Sequence, residues 1–347
     1  MIIPNTYMAA LLLTVLTMLC WGSWANTFKL TGKWRFELFY YDYSLGVLIA
    51  AIVAAFTFGS MGDSLSFSDN LAIAGKRNMA YGLAAGAVFN LANMLLVAAI
   101  SISGLAVAFP IGIGLALVVG VIWSYALNPQ GSPHLLGAGV AIIVVAILFD
   151  ALAYKAYARQ KAGATSTGKR KPSSKRAWKG IILSLVSGAL MGSFYPLVEM
   201  GKGGGIENSG LGPYSIAFLF AIGVFLTTFI FNLYFLNLPV EGESISMLAY
   251  FQGKLKQHLW GIFGGIVWCA GTIANFAAAS APKEVQVGPA ISYGMGQGAA
   301  LVSALWGLLV WREFAGGGSK VKLYLALMIG FFVLGLVLLS LAPLYAT

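Results

Sequence analysis

Residues 81–101 read YGLAAGAVFNLANMLLVAAIS and residues 260–280 read WGIFGGIVWCAGTIANFAAAS. The two stretches align without a gap: Tyr81-Gly82 on Trp260-Gly261, Gly86 on Gly265, Phe89 on Trp268, Asn93 on Thr272, and Ala98-Ala99-Ile100-Ser101 on Ala277-Ala278-Ala279-Ser280. Other fingerprints recur in the same way. Gly22-Ser23-Trp24 returns as Gly192-Ser193-Phe194, and Gly112-Ile113-Gly114 as Gly294-Met295-Gly296. The offset drifts upward along the chain, as small loop insertions produce, so a duplicated ancestor explains the pattern better than chance matching of glycine-rich membrane segments.

Each copy lies in an apolar segment long enough to cross a bilayer, whose hydrocarbon core of about 30 Å needs some 20 residues of helix. Ten such segments are legible, at about 6–30, 39–58, 79–100, 104–127, 134–157, 179–200, 213–236, 258–280, 287–311 and 321–344. Hydrophobic residues make up 59% of the chain and charged ones 9%, against roughly 25% charged in a soluble domain, which excludes a globular cytoplasmic protein. The expected fold class is all-α integral membrane, ten transmembrane helices in two five-helix repeats, 1–157 and 179–347, joined by a basic linker at 158–178. Because five is odd, the repeats sit inverted in the membrane, the architecture of secondary transporters that handle a solute between two rocking halves. Residues 1–10 carry no basic residue, so the first segment reads as a retained helix and not a signal peptide. Cys20 and Cys269 both fall inside apolar segments, which argues against a disulfide framework or a metal cluster.

The net charge of +10 is a topology signal. Odd-numbered loops carry Lys29, Lys33, Arg35, the nine Lys or Arg between Lys155 and Lys179, then Lys254, Lys256, Arg312, Lys320 and Lys322; even-numbered loops carry Lys76, Arg77, Lys202 and Lys283. The bias places the odd loops and the central linker in the cytoplasm and both termini outside. Anionic lipid at the inner leaflet adds to it. Nucleic-acid binding is excluded, since no soluble domain is present to carry a recognition element. Within the linker, Gly163 to Lys169 satisfies a phosphate-loop pattern, but Arg170 stands where a Ser or Thr would bind magnesium and Pro172 follows where a helix should start. No nucleotide or other cofactor is expected.

Polar groups inside apolar spans are costly and point to function. Trp21, Ser23, Trp24 and Asn26 cluster in the first segment, Asn90 and Asn93 in the third, Ser193 and Tyr195 in the sixth, Thr272 and Asn275 in the eighth, and Ser292, Tyr293 and Gln297 in the ninth. With Pro110 and the glycines of the fourth, they outline a central cavity of amides, hydroxyls and rings suited to a small polar solute with a flat face. Asn93 and Thr272, being repeat equivalents, are expected to face each other there. For any single Asn or Ser, a role as interhelical glue stays open. Asp150 and Glu199 are acids in apolar spans and therefore candidates for proton coupling, although Asp150 also stands near enough to Lys155 to pair with it. The fifth and tenth segments look peripheral, facing lipid or a second copy in a homodimer.

The most specific local signal is Cys20-Trp21-Gly22-Ser23-Trp24-Ala25-Asn26-Thr27-Phe28-Lys29, followed by Trp34-Arg35-Phe36-Glu37-Leu38-Phe39-Tyr40-Tyr41-Asp42-Tyr43. It resembles the ureide permease family and its bacterial relatives, within the drug/metabolite transporter superfamily and near the glucose/ribose porters. The resemblance implies a permease of the plasma or bacterial inner membrane, with proton symport of allantoin, uracil and related oxo-heterocycles. From the residues themselves, Lys29, Arg35, Glu37 and Asp42 stand too near water for a deep site and read as a cytoplasmic gate of breakable ion pairs. The surrounding rings read equally as an interfacial belt.

A small-metabolite importer is the leading reading. A sugar porter or a multidrug or metabolite exporter of the same fold competes within the class, and a passive channel outside it. A membrane enzyme lacks support, since His134 and His258 both lie at loop edges. The orientation is directly testable. Single cysteines from Ser166→Cys and Gly316→Cys will be shielded from an impermeant thiol reagent in intact cells, and Ser66→Cys will react; labelling at position 166 overturns the assignment.

Overall fold

The computed structural model describes residues 1–345 apart from 63–64, 104, 165–173, 204–208, 238, 240–242 and 286, with the side chains of 101, 105–106, 162–164 and 174–177 also outside the description. The phosphate-loop-like run ending at Lys169 and Arg170 therefore lies largely outside the described residues. Among the described residues, ten helices are long and apolar enough to span a membrane: α1 (Tyr7–Leu30), α2 (Phe36–Phe56), α3 (Lys76–Ile100), α4 (Val107–Leu127), α5 (Pro133–Lys161), α6 (Trp178–Lys202), α7 (Pro213–Asn237), α8 (Leu255–Ala278), α9 (Pro289–Val310) and α10 (Ser319–Tyr345). No strand occurs among the described residues.

In hydrocarbon every backbone polar group must be satisfied within the segment, and helices then associate through close packing of small residues. Two glycine seams provide it. A Cβ on Gly46 of α2 would collide with the carbonyl of Ile262 in α8, and one on Gly265 of α8 with the carbonyl of Tyr43 in α2. Likewise Gly86 of α3 meets the carbonyl of Phe220 in α7, and Gly223 of α7 that of Leu83 in α3. Exchanging the first five helices for the second five turns one seam into the other.

The correspondence extends to hydrogen bonds. Thr17 Oγ1 of α1 donates to the carbonyl of Gly271 in α8 at 2.9 Å, and Ser187 Oγ of α6 donates to that of Ala92 in α3 at 2.7 Å. Gly22 of α1 abuts Val302 and the carbonyl of Ala299 in α9, as Gly192 of α6 abuts Val119 and the carbonyl of Ala116 in α4. α5 and α10 pack on each other, and a Cβ on Gly139 or Gly335 would lie 3.0 Å from the other's carbonyl oxygen.

α9 is not one continuous helix. It runs as Pro289–Gly296, a break, Ala299–Leu305, and a π-helical turn at Trp306–Val310. It starts after Gly288, whose φ of 83° suits glycine alone among ordinary residues. Two short helices in the connections, Phe67–Ile73 and the 3₁₀ turn Met247–Gln252, were not legible as elements because neither run is long enough to register as a span.

The seams set a stability test. Gly265→Ala forces a methyl group against backbone and will cost about 1–3 kcal/mol, lowering the melting temperature in detergent. Gly330→Ala, with nothing within 4 Å of the added carbon, will not.

Candidate functional site

A cavity of about 500 Å³ lies among α1, α3, α4, α6, α8 and α9, with Phe36 of α2 at one edge. Its walls are aromatic: Trp21, Trp24 and Phe28 from α1, Phe89 from α3, Phe194 from α6 and Trp268 from α8. Phe89 and Trp268 stack at 4.5 Å with their planes 29° apart, and Trp21 lies 6.0 Å from Trp268 at 12°. Asn93, Gln297 and Ser303 supply polar points, and none of the described lining side chains is charged. The break in α9 places Gly296 against the ring of Trp21, and discontinuous helices of this kind frame solute sites in transporters.

Helical rotation decides which of the expected residues reach this space. At 100° per residue, Trp21, Trp24 and Phe28 share one stripe of α1, whereas Ser23 and Asn26 fall on another. Ser23 accepts from Trp306 Nε1 at 2.9 Å and Asn26 accepts from Trp311 Nε1 at 2.5 Å, both on the last turn of α9 and its exit. Trp21, Trp24, Asn93 and Gln297 line the cavity; Thr272 is not among the lining residues. Thr272 Oγ1 instead accepts from Trp21 Nε1 at 3.0 Å, holding the indole in place, while Asn93 Nδ2 donates to the Tyr40 hydroxyl at 2.9 Å.

The remaining polar residues bind helices together. Asn90 donates to Thr227 and Thr228 of α7 at 2.9 and 3.2 Å. Asn275 donates to the carbonyl of Ser292 at 3.0 Å, and Ser292 returns a bond to the carbonyl of Asn275 at 3.4 Å. The buried Tyr293 hydroxyl reaches the carbonyls of Ala116 and Met191 at 3.3 and 3.4 Å. Its ring packs 5.0 Å from that of Tyr195, also fully buried, and Ser193 bonds within its own helix to the carbonyl of Ala189. Glu199 pairs with Lys202 at 2.9 Å. Asp150 makes no ion pair with Lys155, and one of its carboxyl oxygens is buried without a hydrogen-bond partner.

The four gate residues do not form one cluster. Lys29 pairs with Glu313 and lies over the Trp311 ring. Arg35 holds Glu37 through two bonds, at 3.0 and 2.6 Å, and reaches the carbonyl of Glu243 at 3.1 Å. Asp42 departs from the expectation of a residue near water, being 1% exposed. The 3₁₀ turn Met247–Gln252 folds over the start of α2, so that Asp42 accepts from the Tyr250 hydroxyl at 2.5 Å and meets His258 Nδ1 at 2.8 Å. Burial, and then the bond to Asp42, hold the Tyr250 phenol well above its ordinary pKa, which keeps it a donor. Glu313, Tyr250 and His258 were missed because each meets its partner across more than 200 residues of chain. Phe89 and Trp268 were visible only as matched ring positions in the repeat; the spacing of Phe89, Asn93, Leu96, Val97 and Ile100, which puts them on one face of α3, is the signal that would have joined them to a site.

Residues 39–177 match the sequence profile of the family described as ureide permease. Ureide permease 2 of Arabidopsis thaliana is 24% identical over 94% of this chain and 94% of its own, and ureide permease 1 of the same plant 25% identical with the same coverage. Ureide permease 3 is 27% identical over 77% of this chain and 86% of its own. A solved crystal structure of another protein superposes with a TM-score of 0.59 over 95% of this chain and 96% of its own at 15% identity, a likeness of fold. The chain is thus similar to the ureide permeases over nearly its whole length and is, in kind, a multi-pass membrane transporter and not an enzyme.

Proposed function

We propose that this protein imports a small, uncharged, ring-shaped polar solute of the ureide or oxo-heterocycle class, by alternating access of two inverted five-helix halves around the aromatic cavity, with protons as the driving ion. The observation that carries the reading is the cavity wall: stacked rings from both halves with amides at Asn93 and Gln297. Rings supply stacking area to a planar solute, and amides supply paired donors and acceptors. A sugar would ask for more hydroxyl partners than Asn93, Gln297 and Ser303 offer, so the planar class fits better. The matched contacts of the two halves support a rocking motion, and the charge bias of the loops supports a cytoplasmic linker with both termini outside.

Lys29 with Glu313 joins the end of α1 to the segment after α9, Arg35 and Glu37 pair within the start of α2 beside the cavity-lining Phe36, and these groups form the cytoplasmic gate on this reading. Asp150 and Glu199 are the acids first offered for coupling. Glu199 is already neutralised by Lys202, and Asp150 lies on α5, which contributes no residue to the cavity wall.

Proteoliposomes tested with labelled allantoin, uracil and glucose, with and without a pH gradient, will accumulate one of the first two in preference to glucose. In purified protein of wild-type melting temperature, Asn93→Ala will weaken binding of that solute by roughly ten- to a hundredfold, the 1–3 kcal/mol of a hydrogen bond lost from a desolvated site. Trp24→Ala will weaken it through lost stacking. Normal binding by both variants places the site elsewhere.

A further inference from the structure

Asp42 is an acid in a spanning segment that the gate does not use, and its surroundings are built. It lies on α2 within the fully packed run 38–44, and a Cβ on Gly261 of α8 would collide with its own Cβ. Its two carboxyl oxygens are divided between two partners from elsewhere in the chain, Tyr250 at 2.5 Å and His258 Nδ1 at 2.8 Å. The imidazole is enclosed in turn. Trp34 stands edge-on at 5.6 Å, Tyr250 at 4.7 Å, and a Cβ on Gly253 would lie 2.5 Å from Nε2.

The titratable groups acting on Asp42 are Tyr250, from the α7–α8 connection, and His258, from α8. Arg35 and Glu37 satisfy each other at the start of α2, and α7 presents the neutral Asn232, which donates to the carbonyl of Glu37 at 2.8 Å. Tyr250 stays a donor. The exchangeable proton of the cluster therefore resides between one carboxylate and one imidazole, the side chain whose charge changes in the physiological range.

We propose that Asp42 and His258 form a proton-binding site. A proton from water on the side of the odd-numbered loops adds to the imidazole nitrogen left free, turning a neutral ring beside a carboxylate into an imidazolium–carboxylate pair. Nothing else is consumed or released. The change in charge alters the acceptor that Tyr250 holds, so the α7–α8 connection feels the proton directly. α2 and α8 feel it together, because the Gly46 and Gly265 seam binds them backbone to backbone. The coupling of this proton to solute rests on the transport reading above; the existence of the site does not.

The chain has two histidines, so His134→Gln protein labelled with ¹⁵N-histidine in lipid nanodiscs reports His258 alone. The ¹⁵N shifts of the ring will report one proton bound and released as pH is varied, and Asp42→Asn, by removing the carboxylate that favours the imidazolium, will raise the proton concentration needed by about threefold or more. A ring that does not titrate in the otherwise wild-type protein, or that titrates identically after Asp42→Asn, overturns the site. Should Asp42→Asn fail to fold, the titration of the Asp42-containing protein decides alone. In liposomes, His258→Gln and Asp42→Asn will lose accumulation driven by a pH gradient while keeping solute exchange across the membrane. Undiminished accumulation in both overturns the coupling role. Absence of any wild-type uptake of allantoin or uracil defeats the transport reading and leaves the nuclear resonance result to judge the proton site.

Discussion

The bundle depends on helices that touch without side chains between them. Gly46 with Gly265 and Gly86 with Gly223 bring α2 onto α8 and α3 onto α7 closely enough that a methyl group at any of them meets a backbone carbonyl or its neighbours. In water such contacts would be incidental to burial of apolar surface. In hydrocarbon, where lipid tails are as apolar as leucine, they are a main source of helix affinity. With those four helices pinned in two pairs, α1 and α6 are set against α8 and α3, and the aromatic wall follows: Phe89 and Trp268 lie one turn further along the same helices that carry Gly86 and Gly265.

The spans were legible because twenty apolar residues in a row have few other uses, and the seams because glycines recur at matching positions in the two halves. Rotation was harder to read. Ser23, Asn26, Asn90 and Asn275 look as functional in the sequence as Asn93 does, yet each bonds a neighbouring helix, because a hydropathy pattern rich in apolar residues on every face does not say which face turns inward. Among long-range partners the sequence is silent for a different reason. His258 sits at the head of α8 and Asp42 a turn or two into α2, 216 residues apart, and neither position carries a mark of the other. The expected exposure of Asp42 failed through the turn Met247–Gln252, which covers it and is too short to register as an element.

Polar side chains among the described residues are put to different uses. Amides and hydroxyls at Asn90, Asn275 and Ser292 join helices. Ion pairs at the ends of α1 and α2 stay partly exposed, Lys29 with Glu313 and Arg35 with Glu37. The Asp42 cluster joins α2, α8 and a connecting turn through Tyr250 and His258. A buried carboxylate that is merely structural is usually met by fixed donors; here one of its two partners is a histidine.

None of the described side chains in the cavity wall is charged. On an alternating cycle, the step in which an empty cavity switches from one face of the membrane to the other then carries no charge contributed by its lining. A membrane potential acts with about 2.3 kcal/mol per elementary charge per 100 mV, so it has no purchase on that lining as it returns. Electrical sensitivity of that step then comes from charges elsewhere in the moving halves, such as the Glu199–Lys202 pair of α6, and not from the lining.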